Sequence, residues 1–203
     1  VFKIVENDTG NIFAAKISVV KLDENDKKFA LYIRREVTIL SMLNHPSVLK
    51  FIGYSPFDFD QKPHPVIITE YSPRGSLESI IKLEHKSIPP QSWTNTKKLI
   101  NIYGIASAMK YLHSRNIIHR DLKSANILED DNFFPKVADF GLSKIYLNDQ
   151  TQSHTQTLGT SIYMAPEVIK DNQFDIKSDV YSFGILMYEI VTGKEPFKEI
   201  RGH

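Results

Sequence analysis

The spacing of apolar residues changes once along this chain, and that change limits the fold more than any other feature. Residues 2–20, FKIVENDTGNIFAAKISVV, alternate on both sides of Asn-Asp-Thr-Gly-Asn, whose residue types tolerate the positive φ of a hairpin. VLKFIGY and VIITEY flank the Pro- and Asp-rich SPFDFDQKPHP and read as two more strands around a surface turn. One helix interrupts this β-rich part: Phe29, Ile33, Val37, Leu40 and Leu43 recur at three- or four-residue steps, and Asn44-His45-Pro46 stops it. After Gly75 the period is helical, in SLESIIKL and then in residues 94–116. DVYSFGILMYEIVTG is apolar almost all round over 180–191, which predicts a helix sunk in a core. The chain is therefore expected to be α+β and bilobal, with a small β-rich part carrying one helix (residues 1–71) and a mainly helical part (residues 72–203). SPRG, residues 72–75, is the expected hinge.

Charge narrows the function. The 25 basic and 24 acidic residues nearly cancel, so no broad cationic field attracts nucleic acid, and charge chemistry must be local. With no cysteine, disulfides and thiolate chemistry are excluded, in keeping with a reducing, cytoplasmic setting. No run of about 18 apolar residues is present, so no membrane span is expected in this segment.

The densest polar cluster is IIHRDLKSANIL, residues 117–128, where apolar pairs bracket a loop and hold it at both ends. There Asp121 can accept a proton from a hydroxyl, Lys123 can reach a transferring phosphate, and Asn126 offers a neutral oxygen suited to a divalent cation. The same residues also read as a surface loop of weak ion pairs, and the loop alone does not separate the two readings. Eighteen residues after Asp121, Asp139-Phe140-Gly141 follows the strand-like PKVA. A carboxylate ending a buried strand, with a glycine that lets the backbone turn, is a good place to hold Mg2+, although such a tripeptide by itself is more often only a turn.

HRDLKSANIL, DFGLS, GTSIYMAPE and DVYSFGILMYEIVTG, in this order and spacing, resemble the eukaryotic protein kinase catalytic domain, most closely the tyrosine kinase-like group of serine/threonine kinases. The resemblance runs from Val1 to about Phe197. It implies a protein kinase-like fold that uses ATP and Mg2+ to phosphorylate a protein hydroxyl. By resemblance Lys16 grips the α- and β-phosphates, Glu36 pairs with Lys16, Asp121 is the catalytic base, Lys123 steadies the γ-phosphate, and Asn126 with Asp139 holds the metal. For adenine it implies backbone hydrogen bonds from Glu70 and Ser72, apolar contacts from Ala14, Leu77 and Leu128, a roof from Val1, and Thr69 as a small gatekeeper beside a back pocket. Lys123 with Thr160 is the pair found in serine/threonine kinases, and a tyrosine-directed enzyme is disfavoured by it. Between Asp139 and Glu167 the chain is rich in hydroxyls. A phosphate at Thr155 or Thr157, with Ser153 behind them, is expected to pair with Arg120 and order that segment.

The chain departs from the family pattern at both ends. The glycine-rich loop is expected immediately before Val1, and further helices after Phe197, including an arginine partner for a buried Glu167. Weak nucleotide affinity and low stability are therefore expected of these 203 residues alone. A kinase-fold scaffold without chemistry is the rival reading, and the presence of Lys16, Glu36, Asp121, Asn126 and Asp139 together argues against it.

Overall fold

The structure is a computed structural model that describes residues 1–23, 26–141, 143–145 and 161–197. Its first part is a four-stranded antiparallel sheet of β1 (Phe2–Val5), β2 (Ile12–Ile17), β3 (Phe51–Ser55) and β4 (Val66–Glu70), in the order β1-β2-β4-β3. The β1–β2 turn forms where expected: Gly10 takes φ 74°, and its N–H donates to the Glu6 carbonyl (2.8 Å). α1 (Lys27–Met42) starts two residues earlier than the apolar pattern predicts, because the Asp26 side chain accepts from the Phe29 N–H (3.0 Å) and caps it. Its buried face includes Ile33, Ile39 and Leu40, but also Glu36.

The segment after α1 is tied on two sides. The Asn44 N–H donates to the Tyr111 hydroxyl (2.8 Å) and His45 bonds Ser107 (3.1 Å), while the Leu49 N–H donates to the Val137 carbonyl and the Val137 N–H to that of Ser47 (both 2.9 Å). These bonds occupy residues that the pattern assigns to a longer β3, which begins only at Phe51.

The second part comprises α2 (Leu77–His85), α3 (Asn95–His113), β5 (Ile117–Ile118), β6 (Ile127–Glu129), β7 (Pro135–Val137), β8 (Lys144–Ile145), α4 (Pro166–Asp171) and α5 (Ile176–Thr192). β5 pairs with β8 and β6 with β7, all antiparallel. One apolar core gathers Leu77, Ile105, Leu112, Ile127, Phe140 and Leu186.

Two expectations are corrected here. α5 is buried on one side only: Leu186 and Ile190 are sealed, but Val180 and Val191 are about 60% exposed (60% and 62%). Its inward side carries Ser178, Asp179, Ser182 and Glu189, because α5 packs against the polar backbone of the loops around residues 119 and 163 as well as against α3. Glu167 is exposed rather than buried, since it sits in the first turn of α4, where a carboxylate faces solvent and favours the helix dipole.

Candidate active site

Strand register places the first half of the site. Ala14 pairs with Thr69 and Lys16 with Ile67, so Ala14, Lys16 and Thr69 share one sheet face. From that face the Lys16 ammonium donates to Glu36 Oε1 (3.2 Å) and to Asp139 Oδ1 (3.0 Å), joining residues 123 positions apart. Burial pulls Lys16 down, but the carboxylates of Asp139 and Glu36 overcome it and hold the lysine above its ordinary range. For Asp139 burial pushes up and Lys16 wins, so its carboxyl stays below the usual value; Glu36, only 4% exposed, is pushed up by burial despite Lys16. Lys16 and Asp139 thus stay charged, each half-open to solvent at 47% exposure.

The loop after β5 places the second half. Asp121 Oδ2 accepts from Lys123 Nζ (2.7 Å) and Asn126 Nδ2 (2.9 Å), and Asn126 Nδ2 also donates to the Asp121 carbonyl (2.8 Å). This fixes the Asn126 amide, because both of its hydrogens point at Asp121 and its oxygen is left as an acceptor. The loop is pinned by Asp179 of α5, whose two oxygens accept from the His119 and Arg120 N–H groups (2.9 Å each) and which also bonds His113 (2.9 Å). His119 Nε2 donates to the Ala138 carbonyl (3.1 Å), and its ring packs edge-on against Phe140 (5.2 Å), linking this loop to the Asp139 turn. Asp179 and His119 were not singled out by the sequence. An acid inside an apolar helical run was the available signal, but nothing local says that it binds a backbone sixty residues away.

Backbone strain marks both loops. Arg120 (φ 70°) and Asp139 (φ 61°) adopt the left-handed region, which non-glycine residues enter at a cost of about 1–3 kcal/mol. The sharp turn expected from Gly141 is therefore made at Asp139, and Gly141 itself has a φ outside that region.

The remaining predicted residues divide. Thr69 is buried, and its hydroxyl donates to the Glu70 carbonyl (3.2 Å). The Glu70 side chain accepts from the Lys50 N–H (2.8 Å) and Lys136 (3.2 Å), so its carboxylate braces the β4 end. The Ser72 carbonyl accepts from the Gly75 N–H (3.3 Å), closing the hinge turn. Leu128 is half-buried and bridges to Ser76. Leu77 is corrected: it is fully buried in the apolar core, so it has no surface to offer a ring. Val1 is 84% exposed beyond the end of β1. Arg120 stacks on Phe174 (4.7 Å). Ser153, Thr155, Thr157 and Thr160 lie outside the described residues.

Among the described residues no group of three or more His, Asp or Glu side chains is arranged to hold a metal unaided. The donor set fits a hard divalent cation on other grounds: Asn126 presents a fixed amide oxygen and Asp139 a carboxylate kept ionised, both hard oxygens of the kind such an ion takes when phosphates complete its shell.

A lysine of the antiparallel sheet held by a carboxylate of α1 and by a carboxylate that follows β7 in the helical part, together with an Asp-Lys-Asn group bonded within the loop after β5, is the arrangement of the protein kinase fold. The family model described as "Protein kinase domain" matches residues 1–203, and the chain belongs to that family. It is similar to "Serine/threonine-protein kinase CTR1" of Arabidopsis thaliana (42% identical, covering 80% of this chain and 19% of that one). It is likewise similar to "Serine/threonine-protein kinase PBL27" (38%, covering 95% and 36%) and "Cysteine-rich receptor-like protein kinase 6" (38%, covering 89% and 26%), both of Arabidopsis thaliana. The chain spans less than half the length of the curated relatives it matches. No helix among the described residues is long and apolar enough to cross a membrane.

Proposed function

We propose that this chain is the catalytic domain of an ATP- and Mg2+-dependent protein serine/threonine kinase of the tyrosine kinase-like group, divided at residue 71 into two lobes, acting in the cytoplasm on a protein hydroxyl. The observation that carries the reading is the double ion pair of Lys16 with Glu36 and Asp139. A lysine held this way is pre-positioned for the α- and β-phosphates and loses no further freedom on binding them.

Asp121 orients the substrate hydroxyl and takes its proton. Lys123 and Asn126 occupy Oδ2, so Oδ1 is the oxygen that faces the hydroxyl, and Lys123 stays near enough to meet the γ-phosphate. Asn126 and Asp139 would hold the metal, which when bound neutralises phosphate charge. Ala14 and Leu128 enclose the adenine with Val1 at the rim, Glu70 and Ser72 offer it backbone bonds, and Thr69 leaves the back pocket open. The Lys123–Asp121 bond and the relatives' names support serine and threonine as acceptors, with Thr160 completing that group. Arg120 receives the phosphate of Thr155 or Thr157.

The test is transfer of radiolabelled phosphate from ATP with Mg2+ to a generic protein substrate, beside an Asp121→Asn control. Phosphoserine and phosphothreonine, abolished in the control, are expected. A wild-type protein that binds nucleotide and transfers nothing is a scaffold, and the reading is then wrong.

A further inference from the structure

Tyr32 stands one helical turn before Glu36 on α1, so the two side chains share a face. A Cβ on Gly141 would overlap the Tyr32 hydroxyl oxygen and stand 3.2 Å from Cζ, so the phenol rests directly on the Gly141 backbone. α1 therefore touches residues 139–141 at two places: through Glu36, Lys16 and Asp139 by charge, and through Tyr32 and Gly141 by contact. One contact leaves a turn free to rotate about it, whereas two fix its orientation. The turn needs fixing, since Asp139 is held at φ 61°. Gly141 does not itself take a left-handed φ, so its backbone angle does not demand a glycine; the space taken by Tyr32 does.

We infer that Tyr32 is a positioning residue for Asp139, its hydroxyl serving as a stop against which the Asp139–Gly141 turn is set in register with the Lys16–Glu36 pair. Burial, with Glu36, Asp139 and Asp121 nearby, raises the phenol's pKa and keeps it a neutral hydroxyl against the acidic site. Tyr32 is 38% exposed, so shortening it removes little core.

The inference rests on the kinase reading, and its test separates the two. Wild type, Tyr32→Phe, Gly141→Ala and the double variant are compared for ADP binding with and without Mg2+, for the Mg2+ concentration giving half-maximal binding, for kcat and KM of phosphoryl transfer, and for Tm. Gly141→Ala is expected to weaken Mg2+-dependent ADP binding at least about tenfold and to lower kcat more than it raises KM, with metal-free ADP binding and Tm little changed. Tyr32→Phe is expected to raise the Mg2+ requirement about threefold. The double variant, in which the Cβ finds the space of the lost oxygen, is expected to recover most of the Gly141→Ala loss. A double variant as impaired as the product of the two single effects overturns the inference while leaving the kinase reading intact. A full-length wild-type protein that binds no ADP overturns both.

Discussion

Glu36 and Glu129 are both almost sealed from water, yet Glu36 lies 3.2 Å from a lysine, whereas Glu129 is bonded by the amide of Asn101 (3.4 Å). In the cleft, charge is answered by charge, and Lys16 and Asp139 remain ionised and half-open where a polyphosphate can meet them. Under the hinge, where the Glu129 N–H donates to Gly75 (2.9 Å) and its carbonyl accepts from Arg74 (3.3 Å), burial comes first and pushes the Glu129 carboxyl up to about 8, with Asp130 adding to it and Asn101 and Lys97 opposing. Glu129 Oε1 and Asn101 Oδ1 are buried acceptors without a donor among the described residues, and a proton on the carboxyl brings one. The difference teaches that burial pushes both carboxyls up and that the partner separates them: an ammonium opposes the shift at Glu36, whereas an amide hydrogen bond and Lys97 oppose it at Glu129.

The comparison breaks first at the cleft. Asp121→Asn removes the proposed proton acceptor and is expected to lower kcat about 10²–10⁴-fold with the fold intact, measured by steady-state phosphoryl transfer and circular dichroism. Lys16→Met is expected to weaken ATP binding about a hundredfold and to lower Tm by a few degrees. It leaves Glu36 buried without its cation, although the half-exposure of Lys16 limits the stability loss to about 1–2 kcal/mol.

Glu129 sharpens the other side. Its folded pKa of about 8 lies above the roughly 4.3 of an unfolded glutamate, so between those values the folded state binds the extra proton and stability falls as pH rises. The stabilising contribution is complete below about pH 4 and lost once pH has passed about 8. Tm measured from pH 5 to 9 should decline through this window in the wild type, and Glu129→Gln should flatten the decline and melt higher at pH 9. An unchanged slope in the variant would remove the contrast between the two acids. The smallest effect is expected at Thr69→Met, which leaves both acids in place and would fill the back pocket proposed beside Thr69. Inhibitors reaching into that pocket should bind about tenfold more weakly by calorimetry, with ATP affinity changed little.

Much of this was legible in the sequence. Period-two alternation predicts β1 and β2, the Asn-Asp-Thr-Gly-Asn turn predicts their hairpin, the apolar VIITEY beside a Pro- and Asp-rich turn predicts β4, and the ordered motifs place Lys16, Glu36, Asp121, Asn126 and Asp139, of which the structure joins Lys16 to Glu36 and Asp139, and Asp121 to Asn126. What escaped was the inward side of polar residues. Hydropathy reads α5 as sunk in a core, whereas its Asp179 and Ser182 face in because they serve backbone groups far away in sequence. Leu77 fails for a related reason: pattern marks it as apolar but cannot say whether an apolar residue lines a cleft or lies beneath it. Glu129 sits in a strand three residues long, too short for alternation to reveal that its side chain points inward.

The bonds that tie residues 44–49 to α3 and β7 give α1 a fulcrum. Glu36 lies seven residues from Leu43, a lever arm of about 10 Å, so a tilt of about 15° about that end carries its carboxylate nearly 3 Å. That displacement is enough to part it from Lys16. The Lys16–Glu36 distance is thus set by how firmly residues 44–49 are held, well away from the pair itself.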